Sequence, residues 1–182
     1  MQQKGSAIRS TLRAIRAMYG DDTLAAVMAR VPRAVRAQLE PVVLATSWYP
    51  IETVAAVHVA IRNIIGHGDW EVSRAIGAAA SREDYSGIHR ALFHALDLDI
   101  VFSRGQATWN RYHTQGRVTW SNLGKGTAEG FIDEVDGFNP GVWNAVAGRI
   151  QTMFEIVGAR AAIVDVKSPL ATACEFQVSW VE

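Results

Sequence analysis

The sequence predicts an α+β fold, a helical amino-terminal half of about six helices packed with a carboxy-terminal four-stranded antiparallel sheet of ββαββ order. Three observations carry that expectation. Between Asn139-Pro140 and Gly158, residues Val142, Trp143, Val146, Ala147, Ile150, Met153, Phe154 and Val157 recur at helical spacing as one broad apolar stripe. Asn139 suits the cap, Pro140 the first turn and Gly158 the end of that helix. The closing segment alternates instead, with Cys174, Phe176, Val178 and Trp180 on one face and Glu175, Gln177 and Ser179 on the other. Finally, Arg117 to Leu123 and Thr127 to Asp136 flank a Gly124-Lys125-Gly126 turn and read as a hairpin. The β-branched run from Arg160 to Lys167, ended by Ser168-Pro169, pairs with the closing strand as a second hairpin. Such a sheet needs its apolar face covered, and the first two thirds of the chain supply helices to cover it.

Those helices follow in order. Residues 5–19 set Ile8, Leu12, Ile15 and Tyr19 against Arg9, Arg13 and Arg16, and Gly20 ends the element. Asp21-Asp22 are placed to cap a second helix carrying Leu24, Val27, Met28 and Val31. Pro32 opens a short third one with Val35 and Leu39. Ser47-Trp48-Tyr49-Pro50 turns the chain into a helix over 51–65. There Ile51, Val54, His58, Ile61 and Ile65 share a face, so His58 lies on the apolar stripe. After Gly66-His67-Gly68 come helices near 70–80, with an Ala78-Ala79-Ala80 run suited to close approach, and near 86–96. The last of the half, about 98–113, aligns Leu98, Val101, Phe102, Gly105, Trp109 and Tyr112. Gly105 costs it helix propensity unless another backbone packs there.

At 182 residues the chain is long enough for a substantial core. One domain over 1–182 is expected, with residues 1–115 forming its helical region and residues 116–182 its sheet region. Formal net charge is zero, which gives no global field for nucleic acid or an anionic membrane. Residues 1–40 are locally basic, but as solvated helix faces rather than as a charged tail. The single cysteine leaves no intramolecular disulfide and no multi-cysteine zinc site. No apolar run suffices to span a bilayer and no leader pattern is present, so a cytoplasmic location is the default expectation.

Six tryptophans suggest either a thick aromatic core or a ligand pocket. Trp109, Tyr112, His113 and Trp120 cluster where the last amino-terminal helix hands over to the sheet, the composition of a pocket mouth or of an aromatic junction. His58 reads as a buried, hydrogen-bonded core histidine or as a haem axial ligand. His89, beside Arg90, reads as a surface residue or as a contact for an acidic ligand. It stands five residues from His94, off the spacing of paired metal ligands on one helix face. Phosphate loops, dinucleotide fingerprints, nucleophile elbows and HExxH are all missing, and no nucleophile, base and orienting acid stand in recognisable order. Catalytic and metal-ligating residues are therefore not assigned.

The order Gly5-Ser6 with an arginine-faced helix, Ser47-Trp48-Tyr49-Pro50, Tyr85-Ser86-Gly87-Ile88-His89-Arg90, Tyr112 before Gly116, and Cys174-Glu175-Phe176-Gln177-Val178-Ser179-Trp180 resembles an uncharacterised domain family abundant in myxobacteria. That family is distantly similar to the four-vinyl-reductase, haem-NO-binding and TRAPP-subunit group. The resemblance implies amino-terminal helices over a four-stranded sheet, with the space between them used for haem, small hydrophobic molecules or an acyl chain, or the surface used for assembly. Two features depart from it. The pattern Tyr-x-Ser-x-Arg is missed by Tyr112-His113-Thr114-Gln115-Gly116-Arg117, whose arginine falls one place late, and Cys174 stands alone where a cysteine cluster occurs.

The leading expectation is thus a non-enzymatic cytoplasmic sensor or adaptor domain, without a cofactor, binding a small apolar ligand or a protein partner, with Trp109, Tyr112, His113, Trp120, His89 and His58 as binding candidates. A homodimer through the open face or edge of the sheet is the expected assembly. One alternative is a haem or gas sensor with His58 or His113 as axial ligand. Another is a small enzyme acting on an aromatic or tetrapyrrole-like substrate, using His89, Tyr112 and His113 as acid–base groups.

Overall fold

In a computed structural model, which describes residues 1–85 and 98–181, the chain is α+β, with seven helices and a carboxy-terminal antiparallel sheet among those residues. The helices are α1 (Gly5–Tyr19), α2 (Asp21–Arg30), α3 (Arg33–Arg36), α4 (Ile51–Ile64), α5 (Glu71–Asp84), α6 (Leu98–Asn110) and α7 (Pro140–Ile156). Strands β1 (Gln2–Lys4) and β2 (Trp48–Pro50) form a small antiparallel pair. The main sheet comprises β3 (Arg117–Gly124), β4 (Thr127–Asp133), β5 (Arg160–Lys167) and β6 (Cys174–Val181) in the order β3-β4-β6-β5. Both expected hairpins are present, and β4 and β6 join them at the centre. The helix expected near 86–96 lies outside the described residues.

The period-two reading of β6 holds side chain by side chain. Cys174, Phe176 and Val178 are buried while Glu175, Gln177 and Ser179 are exposed. On that apolar face lies α7, capped as expected: the Val142 N–H donates to Asn139 Oδ1 at 2.9 Å, and Asn139 Nδ2 donates to the Ala55 carbonyl on α4 at 2.9 Å. Among the described residues, Trp143 and Phe154 of α7 and Phe176 of β6 are the largest fully buried side chains. Each contributes on the order of 2–3 kcal/mol by leaving water. The opposite side of α7 packs on α5 at backbone distance. A Cβ on Gly77 would collide with the Ala145 backbone and one on Gly148 with that of Arg74, so two glycines set this crossing as much as the alanine run does.

Two expectations change, and two short strands are added. Asp21 and Asp22 do not cap α2, whose cap position is Gly20 with no side-chain hydrogen bond; Asp21 instead pairs with Arg16 at 2.5 Å. The helix expected over 98–113 stops at Asn110 and tightens into a turn, with the N–H groups of Tyr112 and His113 both donating to the Trp109 carbonyl at 2.9 and 3.0 Å. Strands β1 and β2 are too short to leave a period in the sequence. Yet β1 also reaches across to the turn after α6: Lys4 N–H donates to the Tyr112 carbonyl at 2.8 Å, and Gln3 bridges His113.

Candidate functional site

The turn after α6, the inner face of β3 and β4, and the facing sides of α1, α4, α5 and α7 line a half-open cavity of about 110 Å³. It lies between the helices and the sheet. Its walls are mostly apolar, with Ala7, Val54, Val118, Ile132, Val142, Val146, Ile150 and Met153 contributing.

Its aromatic wall is built by close packing. The His113 ring stacks on Trp109 with centroids 3.7 Å apart and planes 21° apart, and Trp109 Nε1–H donates to the Gln115 carbonyl at 2.8 Å. Trp120 of β3 sits in a slot left by two glycines. A Cβ at Gly105 of α6 would lie 2.7 Å from its ring, and one at Gly130 of β4 would lie 2.6 Å from it. The cost of Gly105 inside a helix is therefore offset by a side chain rather than by a neighbouring backbone.

Polar groups punctuate the wall. Arg149 of α7 is the one charged residue among the described lining residues. Its Nη1 donates to Asp84 at 2.9 Å, and its Nη2 donates to Ser10 Oγ at 3.1 Å and the Ala7 carbonyl at 3.3 Å. His58 shares a 3.0 Å hydrogen bond between Nδ1 and Ser73 Oγ, and burial, with the Arg149 charge adding to it, lowers its pKa to about 4. Burial takes His113 lower, to about 3, against the opposing pull of the Trp109 backbone and with Arg149 adding to the fall. Both imidazoles are thus neutral at neutral pH. The Gln3 amide nitrogen lies 3.3 Å from His113 Nε2. An amide N–H only donates, so Nε2 accepts and Nδ1 carries the ring proton. That Nδ1 has only a poorly formed hydrogen bond, to the Trp109 backbone, and Ser81 Oγ on α5 has no partner at all among the described residues. Tyr85, at the end of α5, has its pKa raised to about 12, chiefly by burial and then by Tyr112.

Five of the six residues singled out from the sequence, His58, Trp109, Tyr112, His113 and Trp120, line this one cavity. His89 lies outside the described residues. Gln3, Ser81, Tyr85 and Arg149 also line it and were not singled out. Arg149 carried a signal, a lone arginine interrupting the apolar positions of α7; the others depend on contacts between distant segments. Arg117, the arginine of the near-miss motif, is exposed and tied to Asp133 at 2.6 Å and Glu134 at 3.1 Å, outside the cavity lining. Cys174 is buried, and burial pushes its thiol up to about 12, as expected for an inert residue. Among the described residues no group of three His, Cys, Asp or Glu side chains is placed to hold a metal ion, and no helix is long and apolar enough to cross a membrane.

No protein-family model and no curated protein matches the sequence. Solved structures do match its shape. The chain is similar to a point mutant of the H-NOX protein from K. algicida in its iron(II) unliganded form, with a TM-score of 0.73 and 10% identity over 98% of this chain and 97% of that one. It is also similar to a Cs H-NOX mutant carrying 4-cyano-L-phenylalanine, with a TM-score of 0.71 and 12% identity over 98% and 97%. A third is an oxygen-binding H-NOX domain related to soluble guanylate cyclases, in its oxygen complex, with a TM-score of 0.67 and 12% identity over 98% and 95%. At such identities the likeness is one of fold, and the fold is that of the haem-NO-binding group.

Proposed function

We propose that this chain is a ligand-sensing domain built on the H-NOX fold, taking a small, mainly apolar molecule into the cavity between its helices and its sheet. The observation that carries the reading is the cavity itself, walled by Trp109, His113 and Trp120 and joined by side chains from both halves of the chain. A ligand there touches α1, α4 and α5 on one side and β3, β4 and α7 on the other, so its binding favours one packing of the halves over another. Single-domain organisation, a cytoplasmic location and onward signalling through a protein partner or a second copy belong to this proposal.

A second reading, a haem-bearing gas sensor, is favoured by the H-NOX neighbours. His58 and His113 are its candidate axial donors, both neutral as iron ligation requires. The described residues fit a porphyrin poorly. A volume of about 110 Å³ is on the scale of the roughly 150 Å³ cavity that holds benzene, not of four linked pyrrole rings. Haem propionates want cations, and Arg149 already faces Asp84 while Arg117 is engaged with acids outside the cavity. The enzyme reading keeps only Tyr112 and His113 of its three groups among the described residues, and a neutral imidazole with a pKa near 3 is a weak general base at neutral pH.

Native mass spectrometry and an absorption spectrum of freshly purified protein, before and after haem supplementation, test both readings. A small added mass with no Soret band supports the first. A Soret band that His58→Ala or His113→Ala removes establishes the second and overturns the first.

A further inference from the structure

We infer that the cavity selects a neutral, single-ring aromatic molecule carrying one hydrogen-bonding group, the phenol class being its simplest form. The inference rests on the sensor reading above and deepens it. Size sets the first limit: about 110 Å³ holds one ring rather than two or more. Shape and chemistry set the second. Trp109 and Trp120 line the cavity, and aromatic walls favour an aromatic guest through offset or edge-on contact.

Charge sets the third limit. Arg149 is the one charged lining residue among those described, and its guanidinium is compensated by Asp84 at 2.9 Å. A guest carboxylate would therefore enter a largely apolar site as an uncompensated charge, which is costly. A guest with no polar group at all leaves the orphaned atoms as they stand. Ser81, 1% exposed, and His113, 7% exposed, line the cavity with Oγ and the Nδ1 proton lacking a well-formed partner. Buried polar groups are seldom left in that condition, and a hydroxyl, which both donates and accepts, relieves either of them.

Isothermal titration of the full chain with phenol, benzoate and toluene tests this directly. Phenol is expected to bind at least tenfold tighter than benzoate and several-fold tighter than toluene. Ser81→Ala is expected to bring phenol towards the toluene value while leaving toluene binding unchanged, and the toluene titration confirms that the variant keeps its cavity. Equal or tighter binding of benzoate, or phenol no tighter than toluene, overturns the inference while leaving a ligand cavity in place. Binding of none of the three overturns the inference and the sensor reading together.

Discussion

The two faces of α7 meet very different surroundings. Towards the sheet, Trp143, Phe154, Phe176, Val164 and Val178 are essentially fully buried, and Trp143 Nε1–H donates to the Leu170 carbonyl at 2.7 Å. Towards the turn after α6, the same helix borders a cavity that holds an arginine, two neutral histidines and two polar atoms without good partners. One region leaves its large side chains fully buried; the other contains a cavity and polar atoms without good partners. Buried apolar packing is concentrated in the first, and under the sensor reading proposed above the second is where a ligand would sit.

Trp143→Ala breaks the packed region and carries the largest expected effect. It removes a fully buried indole, its contact with Phe138 at 4.2 Å between centroids and its hydrogen bond to Leu170. A loss of about 3–5 kcal/mol is expected from urea unfolding. A loss below about 1 kcal/mol would mean that the packed region is no more solid than the cavity side.

Acid probes the cavity side. Unfolded histidine titrates near 6.5, whereas folded His58 and His113 titrate near 4 and 3. Above pH 6.5 neither state binds these protons and stability is unaffected. As pH falls below 6.5 the unfolded chain takes up protons that the folded chain refuses, so stability declines until the folded pKa values are reached. Each histidine adds about 1.4 kcal/mol per pH unit to that slope, roughly 2–3 kcal/mol together at pH 5.5. His113→Gln is expected to lower the slope between pH 6.5 and 5 by about one proton. An unchanged slope would show that His113 is not buried neutral.

The boundary between the two regions is held by Asn139. It caps α7 through Val142 and also reaches the Ala55 carbonyl of α4. Asn139→Ala is expected to cost about 1 kcal/mol by urea unfolding. An effect indistinguishable from zero would put α7's placement down to its apolar stripe alone.

The same contrast governs what the sequence made legible. The ββαββ unit was readable because every signal in it is local: a period of two in β6, a period near four in α7, an Asn-Pro start and glycine turns. The cavity was readable where aromatic residues are near neighbours in the chain, as at Trp109, Tyr112 and His113, and where His58 falls on an apolar helix stripe. Gln3 meets His113, and Ser10 meets Arg149, across more than a hundred residues, and no periodicity encodes such contacts. Charge misled at Asp21, where Arg16 competes for the carboxylate that would have capped α2. The slot for Trp120 was half visible, since Gly105 stood out as a helix glycine without a reason, and the reason lay in β3.

Ser81→Ala carries the smallest effect and the sharpest sign. In the packed region deleting a buried group destabilises, because its partners are left behind. Ser81 Oγ is buried on α5 without a hydrogen-bond partner, so its removal strips no partner and relieves a desolvated hydroxyl. Ligand-free protein is therefore expected to gain stability, by up to about 1 kcal/mol in urea unfolding. In the presence of saturating phenol the gain should shrink or reverse, since the wild-type hydroxyl then has a partner that the alanine lacks. A variant that loses more than about 1 kcal/mol without ligand would show that Ser81 is already satisfied within the chain, and the contrast between the two faces of α7 would reduce to one of volume alone.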